Sequence, residues 1–571
     1  MKGQSVALLL VVGACLSGVG AGASGDVTSY TIVKPGDPVP GMAGFTFSSA
    51  SGVAGINDDG RVLLNATIVG PGSTAFNDQV VVRRDRDGTM VVMAREGDPV
   101  PGLVATTYRG GSGNSSVFHS TIVTPGGDFG LQCEFLSNGV TQRTALMSGS
   151  VGGGFTVVGY TGMQAPGYDP GDAIQFLGLP GSIHDGGAFA FLGRMNGSQS
   201  EDVIWLGAGG LYTAALQSGL QAPGLAIGAT IGSFDRESLR YSALGEVTLG
   251  VTLDLGSGIT QSNRSVLYSG DPTNLGILAQ TGTGVDGLAG ATYIGIDHES
   301  ARINAAGAIA FQALVSGGGT GDVIMGHGSG VTAPIAIDGQ AFPGMPGVGI
   351  DFNRPDFEMN ALGEVVFAAN LTGALADEDS AVIVTSAGVM RIAVREGDVV
   401  DGRAIEQISV GAYSAINDRG DVLAEVFTDG RKTWVVSPGD GSGLVQVLRA
   451  GDVLVTGDGF SLGLSTTNPW SFQTQYGSTG GGVPVIFNNE GEFVVSLIGG
   501  FGRGTFVFDF DGDPPVCAAD LTGDGVLDFF DISAFLTAFG AGDPAADFTG
   551  DGTFDFFDIS AFLTAFSAGC P

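Results

Sequence analysis

The segment Ile303-Asn-Ala-Ala-Gly-Ala-Ile-Ala-Phe311 contains a turn that is followed directly by a strand. Asn and Gly tolerate the backbone angles of tight turns, and the apolar residues after them are typical of a strand. The pattern recurs along the chain, clearly at 56–66, 359–367, 416–423 and 487–495, and more loosely at 123–130, 183–187 and 241–245. This recurrence predicts one β unit that is repeated many times.

A second motif falls once in each interval and marks the repeat length. Its clearest copies are Lys34-Pro-Gly-Asp-Pro-Val-Pro-Gly41 and Arg95-Glu-Gly-Asp-Pro-Val-Pro-Gly102. Together with degenerate copies, the marker glycines lie 54 to 65 residues apart, at Gly36, Gly97, Gly162, Gly219, Gly282, Gly339, Gly397 and Gly451. Two further strand-like segments follow the turn motif, for example Gln79–Arg83 and Met90–Met93. Four short strands per repeat are typical of a propeller blade, so these repeats of about 58 residues predict an all-β, eight-bladed β-propeller.

The two ends of the repeat region, residues 27–510, complement each other. The region opens with a lone fourth strand, Tyr30-Thr-Ile-Val33, and closes with a third strand, Gly504–Asp509, that has no fourth strand after it. We expect the N-terminal strand to complete the last blade, because pairing it there removes an exposed sheet edge. An open β-solenoid or a tandem of β-sandwiches is the alternative architecture for the same strands.

The composition indicates a turn-rich β protein and argues against one class of partner. Gly occurs 100 times in 571 residues, while the hydrophobic fraction of 43% is ordinary for a folded chain. The formal net charge is −35. Nucleic-acid phosphates require basic surfaces, so we expect no nucleic-acid partner.

Residues 1–23 have the features of a secretory signal peptide. A basic start precedes the apolar run Val6–Val12, and Ala21-Gly-Ala23 forms a cleavage site before Ser24. We therefore expect a secreted protein that is extracellular or associated with the cell surface. The alternative is a lipoprotein attached through Cys15, which follows a loose lipobox. No later apolar stretch approaches the ~18 residues that a transmembrane helix needs.

The end of the chain contains one acidic loop sequence twice, at 520–531 and 547–558. Each copy has oxygen ligands at loop positions 1, 3, 5, 7, 9 and 12 and Gly at position 6, which is the spacing of an EF-hand-like calcium site. The ligands predicted for two calcium ions are Asp520, Thr522, Asp524, the Val526 carbonyl, Asp528 and Asp531, and then Asp547, Thr549, Asp551, the Thr553 carbonyl, Asp555 and Asp558. The alternative is a pair of acidic turns that bind no ion, but the nine Asp of residues 517–571, with no Lys or Arg among them, would then repel one another.

One helix-like segment follows each loop, and each loop closes with Asp instead of the usual EF-hand Glu. With Cys517 and Cys570 on either side, these features resemble the cysteine-flanked dockerin domains that anchor bacterial secreted proteins through their C termini. The resemblance implies a small all-α calcium module over 517–571, joined by a stiff, Pro-containing linker at 511–516. It also implies a Cys517–Cys570 disulfide, which leaves Cys133 as a buried small hydrophobe.

The same resemblance implies a cohesin-like or other cell-surface anchoring partner. Residues just before the last ligand often contact the cohesin in dockerins, and here both pairs are phenylalanines, Phe529-Phe530 and Phe556-Phe557. The alternative is that these rings pack inside the module. The sequence departs from the family at Thr522 and Thr549, where dockerins usually have Asn or Asp, so each calcium site is expected to be weakened.

The repeat region contains no recognisable catalytic or metal-binding motif. Its four histidines lack the spacing of metal ligands: His119, His184, His298 and His327. His184 lies in a turn position, where we expect its side chain to form a hydrogen bond. Several acids recur with the repeat, which indicates that they form turns: Asp58, Asp59, Asp98, Asp398 and Asp452. The tryptophans are expected to pack in the core: Trp205, Trp434 and Trp470.

We therefore expect a secreted, non-catalytic β-propeller with a binding or structural role, held by a calcium-dependent dockerin-like module. The alternative is a carbohydrate-active enzyme, a polysaccharide hydrolase or lyase, because the dockerins that the C-terminal segment resembles deliver glycosidases to cohesin scaffolds. The repeat region is rich in acids, and a carboxylate pair can carry out glycosidase chemistry. Either hypothesis makes a polysaccharide a candidate ligand. A structural component of a surface layer, which would self-assemble, is a third class.

Overall fold

A computed structural model describes residues 27–510 except 110–116, 125, 151–152, 178–181, 197–200, 209, 236–237, 243, 272–273, 318–320, 353, 387, 410–412, 458–459, 467–469, 472–485 and 500–501. Toward the C terminus it describes residues 519, 521, 529–541, 546, 548 and 554–568. The predicted signal peptide, Cys15, the linker, Cys517 and Cys570 lie outside the described residues.

Antiparallel strands form eight sheets that are the blades of a β-propeller. The chain begins with β1 (Thr28–Val33). Blade 1 contains β2 (Thr46–Ile56), β3 (Val62–Val69), β4 (Gln79–Arg84) and β5 (Met90–Arg95). Blade 2 contains β6 (Thr106–Tyr108), β7 (Phe118–Val123), β8 (Phe129–Ser137), β9 (Thr141–Gly149) and β10 (Phe155–Tyr160). Blade 3 contains β11 (Ala173–Leu177), β12 (Ser182–Ile183), a 3-10 turn (Asp185–Gly187), β13 (Phe189–Asn196), β14 (Asp202–Ala208) and β15 (Leu211–Gln217).

Blades 4 to 6 follow the same order, and the first strand of a blade is often split into two parts. Blade 4 contains β16 (Ile231–Phe234), β17 (Arg240–Tyr241), β18 (Val247–Leu253), β19 (Ser265–Asp271) and β20 (Asn274–Gln280). Blade 5 contains β21 (Thr292–Ile303), β22 (Ile309–Ser316), β23 (Gly321–Gly328) and β24 (Val331–Ile337). Blade 6 contains β25 (Gly349–Asp351), β26 (Phe357–Met359), β27 (Val365–Thr372), β28 (Ser380–Ser386) and β29 (Val389–Arg395).

The last two blades complete the ring. Blade 7 contains β30 (Val399–Val400), β31 (Arg403–Gln407), β32 (Ser414–Ile416), β33 (Val422–Thr428), β34 (Arg431–Ser437) and β35 (Val445–Arg449). A two-stranded ribbon follows, formed by β36 (Val453–Val455) and β37 (Ser461–Gly463). Blade 8 contains β38 (Trp470–Ser471), β39 (Glu492–Gly499) and β40 (Gly502–Asp509), with β1 as its fourth strand. The predicted eight-bladed β-propeller is thus confirmed.

The N-terminal strand closes the propeller as predicted. β1 pairs antiparallel with β40, with Thr28 opposite Asp509 and Tyr30 opposite Val507. The Tyr30 side chain is buried, and its hydroxyl donates to the buried Glu492 carboxylate at 3.3 Å. One hydrophobic core runs through blades 1, 7 and 8 across this closure. The first and last strands of the propeller are therefore joined by both backbone pairing and core packing.

A chain of hydrogen bonds joins the turn asparagines of successive blades. The Asn304 side-chain amide donates to the Asn360 carbonyl at 3.1 Å, and the Asn360 amide donates to the Asn417 carbonyl at 2.9 Å. The Asn417 amide continues to the Asn488 carbonyl at 3.1 Å. The Asn488 amide then reaches the Asn57 carbonyl at 2.8 Å, which connects blade 8 to blade 1. The turn asparagines of blades 5 to 8 therefore have a second role, because each side chain also joins its blade to the next one.

His184 and Asp398 both lie at turns, as expected from the sequence, and Asp398 has the expected hydrogen-bonding role. His184 occupies the asparagine position of blade 3, and its Nε2 contacts the Tyr241 carbonyl oxygen of blade 4. The Asp398 carboxylate accepts the backbone N–H of Arg395 at 2.7 Å, which closes the marker turn. The Asp398 side chain therefore stabilises a local chain reversal, whereas the His184 side chain joins blade 3 to blade 4.

The tryptophans and Cys133 lie in the core, as predicted. Trp205 and Trp434 are 0% exposed and Trp470 is 8% exposed. Cys133 is a free, fully buried cysteine whose Sγ lies 3.6 Å from Met147 Sδ. Burial raises the pKa of the Cys133 thiol, so this cysteine has the properties of a packed hydrophobe.

Two helices lie at the C-terminal end, α1 (Phe529–Ala541) and α2 (Phe556–Ala568). They begin at equivalent positions of the two predicted loops. Phe535 and Phe562, which occupy equivalent positions, stack with ring centroids 4.1 Å apart and planes inclined by 4°. Among the helices that the structure describes, none is long and apolar enough to cross a membrane.

Candidate functional site

The first strands of successive blades contact one another and therefore surround a central channel. A cavity of about 410 Å³ lies among the first strands of blades 4 to 7. Its charged lining residues are Arg240 of blade 4, Asp297, Glu299 and Arg302 of blade 5, and Arg354, Asp356 and Glu358 of blade 6. Blade 7 contributes Tyr413 and Ser414. We call this space the channel cavity.

A bend in the first strand positions the acids of blade 5. Ser300 Oγ donates to the Asp297 carbonyl at 2.6 Å and accepts the backbone N–H of Gln312 at 2.8 Å. The register of β21 against β22 shifts between Asp297 and Arg302. Because the serine satisfies backbone groups that the shifted ladder leaves unpaired, the strand can bend at this point. The bend places Asp297, Glu299 and Arg302 against the channel cavity.

Blade 4 repeats this local arrangement. Ser238 Oγ donates to the Asp235 carbonyl at 2.7 Å and accepts the Gly250 N–H at 2.7 Å. The signal for it in the sequence, which was not among the predicted features, is the pattern Asp-x-Glu-Ser-x-Arg at 235–240 and again at 297–302. No other blade contains the pattern, so folding of a blade does not require it. A pattern confined to adjacent blades at one cavity indicates a functional site.

Three charged side chains occupy equivalent positions in adjacent blades, two residues before the turn. They are Arg240, Arg302 and Glu358. Arg302 Nε lies 3.3 Å from Glu358 Oε1, and Glu358 is only 8% exposed. Burial raises the pKa of Glu358, while the nearby charges of Arg302 and Arg240 oppose this shift. The ion pair therefore connects blades 5 and 6 at the wall of the cavity.

A second cavity of about 340 Å³ shares Asp297, Glu299, Gln312 and Arg354 with the first, so the two are adjacent. His298 lines it and is 8% exposed. His298 Nε2 lies 2.9 Å from Ser265 Oγ, and Nδ1 lies 3.6 Å from an oxygen of Asp235. A Cβ at Gly250 would overlap the imidazole ring, so glycine is required beneath it.

Asp322 adds another acid to the second cavity. Gln312 Nε2 donates to its carboxylate at 3.2 Å. Burial raises the pKa of Asp322, whereas this hydrogen bond and the charge of Arg354 oppose the shift. Carboxylates, amides and guanidinium groups together provide acceptors and donors for a hydroxyl-rich ligand. Within the described part of the chain, no group of three or more His, Cys, Asp or Glu side chains is placed to hold a metal ion.

Three of the predicted calcium ligands belong to the described residues: Asp531, Asp555 and Asp558. Asp531 and Asp558 are both 0% exposed. The Asp558 carboxylate accepts the Asp555 N–H at 2.9 Å, which caps α2 at its N terminus. The other predicted ligands lie outside the described residues: Asp520, Thr522, Asp524, Val526, Asp528, Asp547, Thr549, Asp551 and Thr553. The two calcium sites therefore remain predictions.

The predicted docking phenylalanines are described in part. Phe529 and Phe556 are each 73% exposed. The side chains of Phe530 and Phe557 lie outside the described set. One ring of each pair is thus available at the surface, at equivalent positions of the two copies.

Fold and cavity together define an eight-bladed β-propeller with a charged site in its channel. Residues 17–118 and 56–510 match the family of unknown function DUF7453, and the chain belongs to this family. A search of curated proteins finds no match.

Solved structures show similarity of fold at low sequence identity. The β-propeller domain of the Trilobed protease from Pyrococcus furiosus is 9% identical with a TM-score of 0.34, covering 70% of this chain and 98% of that chain. The WD40 domain of SCAP from fission yeast is 10% identical with a TM-score of 0.32, covering 85% and 98% respectively. The acylaminoacyl peptidase of Pyrococcus horikoshii is 10% identical with a TM-score of 0.33, covering 70% and 52%. No activity is inferred from these similarities.

Proposed function

We propose that this protein is a secreted, ligand-binding β-propeller whose channel cavity holds part of a polysaccharide. The observation that carries the proposal is the charged channel cavity, built by side chains from four adjacent blades. Sugar hydroxyls both donate and accept hydrogen bonds. They therefore suit a wall that combines the Asp297 and Glu299 carboxylates with the Gln312 amide and the arginines.

Titration of the full chain with a panel of oligosaccharides tests this proposal. We expect Glu299→Gln to weaken binding by at least about tenfold, because an amide replaces a charged acceptor at the cavity. Glu490→Gln is the matched control, since Glu490 is an exposed acid of blade 8 that does not line the cavity. Unchanged affinity in Glu299→Gln, or no binding to any member of the panel, contradicts the proposal.

We further propose that the C-terminal segment attaches the propeller to a cohesin-like or other cell-surface partner through two calcium ions. The predicted ligand spacing supports it, and so do the two helices that follow the loops. Calcium titration of the full chain is expected to show two bound ions. Asp524→Ala should remove one of them. No calcium uptake at about millimolar concentration would refute this part of the proposal.

The exposed rings of Phe529 and Phe556 are candidate docking contacts in this module. The double variant Phe529→Ser/Phe556→Ser should lose capture of the anchoring partner and keep calcium binding. Loss of calcium binding in the same variant would instead assign these rings to the interior of the module. The equivalence of the two copies also predicts that either one can dock, so each single variant should retain partner capture.

The alternative function is a carbohydrate-active enzyme, and His298 is the observation that favours it. This imidazole lines the second cavity and contacts Asp235 on one side and Ser265 on the other. An imidazole oriented by a carboxylate can act as a general base. The enzyme hypothesis is supported if the wild type releases products from a polysaccharide panel and His298→Ala does not. Binding without product release supports the non-catalytic propeller.

A further inference from the structure

We propose that Arg354 is the anion-binding residue of the channel cavity, so that the propeller selects acidic sugars over neutral ones. This inference rests on the proposed function and specifies its ligand class. Arg354 lines both the channel cavity and the second cavity. It follows β25 and precedes β26, where the first strand of blade 6 is interrupted.

Cations are scarce in this protein, and their presence at one cavity is therefore informative. The chain has 23 Lys and Arg against 58 Asp and Glu. Three arginines nevertheless line the channel cavity: Arg240, Arg302 and Arg354. A hydroxyl-binding wall requires no such cations, because amides and carboxylates suffice for hydroxyls. Four acids line the same cavity, and Arg302 pairs with one of them, so it is an arginine without such a partner that indicates negative charge on part of the ligand.

Of these arginines, Arg354 is the exposed one, whereas Arg240 is only 8% exposed. Arg302 is paired with the buried Glu358. Among the described residues, no carboxylate lies within ion-pair distance of the Arg354 guanidinium, and the Arg354 side chain is exposed to the cavity. Its guanidinium therefore retains its planar set of donors for an incoming group.

The backbone at Arg354 supports a functional role. Its φ is 47°, in the left-handed region that a long side chain seldom occupies. Buried neighbours hold this conformation, namely Phe352, Pro355 and Phe357. The Phe352 N–H also donates to Asp338 at 3.0 Å. A strained conformation maintained by surrounding packing is frequent at ligand sites, and here it directs an arginine toward the channel.

The chemistry of the surrounding residues narrows the ligand further. Guanidinium binds a carboxylate or a sulfate through two parallel hydrogen bonds. The nearby carboxylates of Asp297, Glu299 and Asp356 would repel a second anionic group but accept hydroxyl protons. The cavity thus suits one acidic sugar at a time, with its anionic group at Arg354 and its hydroxyls at the carboxylates. A uronic acid and a sulfated sugar share this chemistry.

The test is calorimetric titration of the full chain with three probes, namely trigalacturonic acid, neutral galactotriose and glucose 6-sulfate. We expect an acidic probe to bind at least about tenfold more tightly than galactotriose. Arg354→Asn should remove this preference without loss of thermal stability, because Asn tolerates the left-handed conformation. Arg403→Ala is the matched control, since Arg403 is the first residue of β31 in blade 7 and does not line the cavity.

Each outcome distinguishes the inference from the proposed function. Preference for the carboxylate or for the sulfate probe supports the inference and identifies the anionic group. Equal binding of galactotriose and both acidic probes overturns the anion site and leaves a sugar-binding propeller. An acidic preference that survives Arg354→Asn also overturns the assignment to Arg354. If none of the three probes binds, the inference is wrong. If no oligosaccharide of the full panel binds either, the proposed function is wrong as well.

Discussion

Replacement of Asn360 by Ala should strongly destabilise the propeller. Asn360 is 0% exposed. Its amide donates to the Asn417 carbonyl at 2.9 Å and to the Glu364 carboxylate at 2.8 Å. Its side-chain oxygen Oδ1 accepts the N–H groups of Leu362 at 3.1 Å and Glu364 at 2.9 Å. Alanine removes all four hydrogen bonds at once.

The magnitude follows from these contacts. A typical intramolecular hydrogen bond contributes about 1 kcal/mol net, and buried groups left without partners add to the cost. Asn360→Ala should therefore lower the free energy of unfolding by about 3–5 kcal/mol. Guanidinium denaturation followed by tryptophan fluorescence measures it, because Trp205 and Trp434 are fully buried. Asn274→Ala is the control, since Asn274 is exposed on β20.

A result below about 1 kcal/mol for Asn360→Ala would refute the account of the asparagine chain. The control should change stability by no more than about 0.5 kcal/mol. Asn360→Asp provides a second check, because it keeps the acceptor and replaces the amide donor by an oxygen that faces the Asn417 carbonyl and Glu364. It should destabilise the protein at neutral pH and less so at acidic pH, where the new carboxyl is protonated.

Three further predictions concern the closure and the core. Burial raises the pKa of Glu492 above its usual 4.5, although the charge of Arg86 opposes this shift. The wild type should therefore lose stability as the pH rises from about 4.5 through the raised pKa. Glu492→Gln should remove this part of the pH dependence, and an unchanged pH profile in that variant would contradict the prediction. Deletion of residues 28–33 should expose the edge of β40 and cause association, which size-exclusion chromatography detects; a monomeric, fully stable deletion variant would show that β1 is dispensable. Cys133 should resist iodoacetamide in the native protein and react after unfolding, because burial raises its pKa; alkylation at native conditions would contradict its position in the core.

The architecture was predictable because its signals are local. The turn beginning at Asn304 and the marker at Gly97 each determine the conformation of a few consecutive residues. Their regular spacing therefore indicated the number of blades, and the unmatched strand at Tyr30 indicated the closure. Each turn and strand could be predicted from residues close together in the sequence.

The channel cavity was not predicted because its contacts join distant residues. Arg302 and Glu358 are 56 positions apart, and neither stands out among the charged residues of its own repeat. The asparagine chain was overlooked for the same reason, since a turn asparagine in one repeat contacts the backbone of the next. Comparing repeats for differences would have identified the pattern at 235–240 and 297–302. The calcium loops remain predictions from their spacing alone.

The most direct test of the central claim is a crystal structure of the full chain with trigalacturonic acid. We expect electron density for the sugar in the channel cavity among blades 4 to 7. One carboxylate should lie at about 2.7–2.9 Å from the guanidinium nitrogens of Arg354. An ordered sugar at another surface, with the channel cavity filled only by water, would contradict the account.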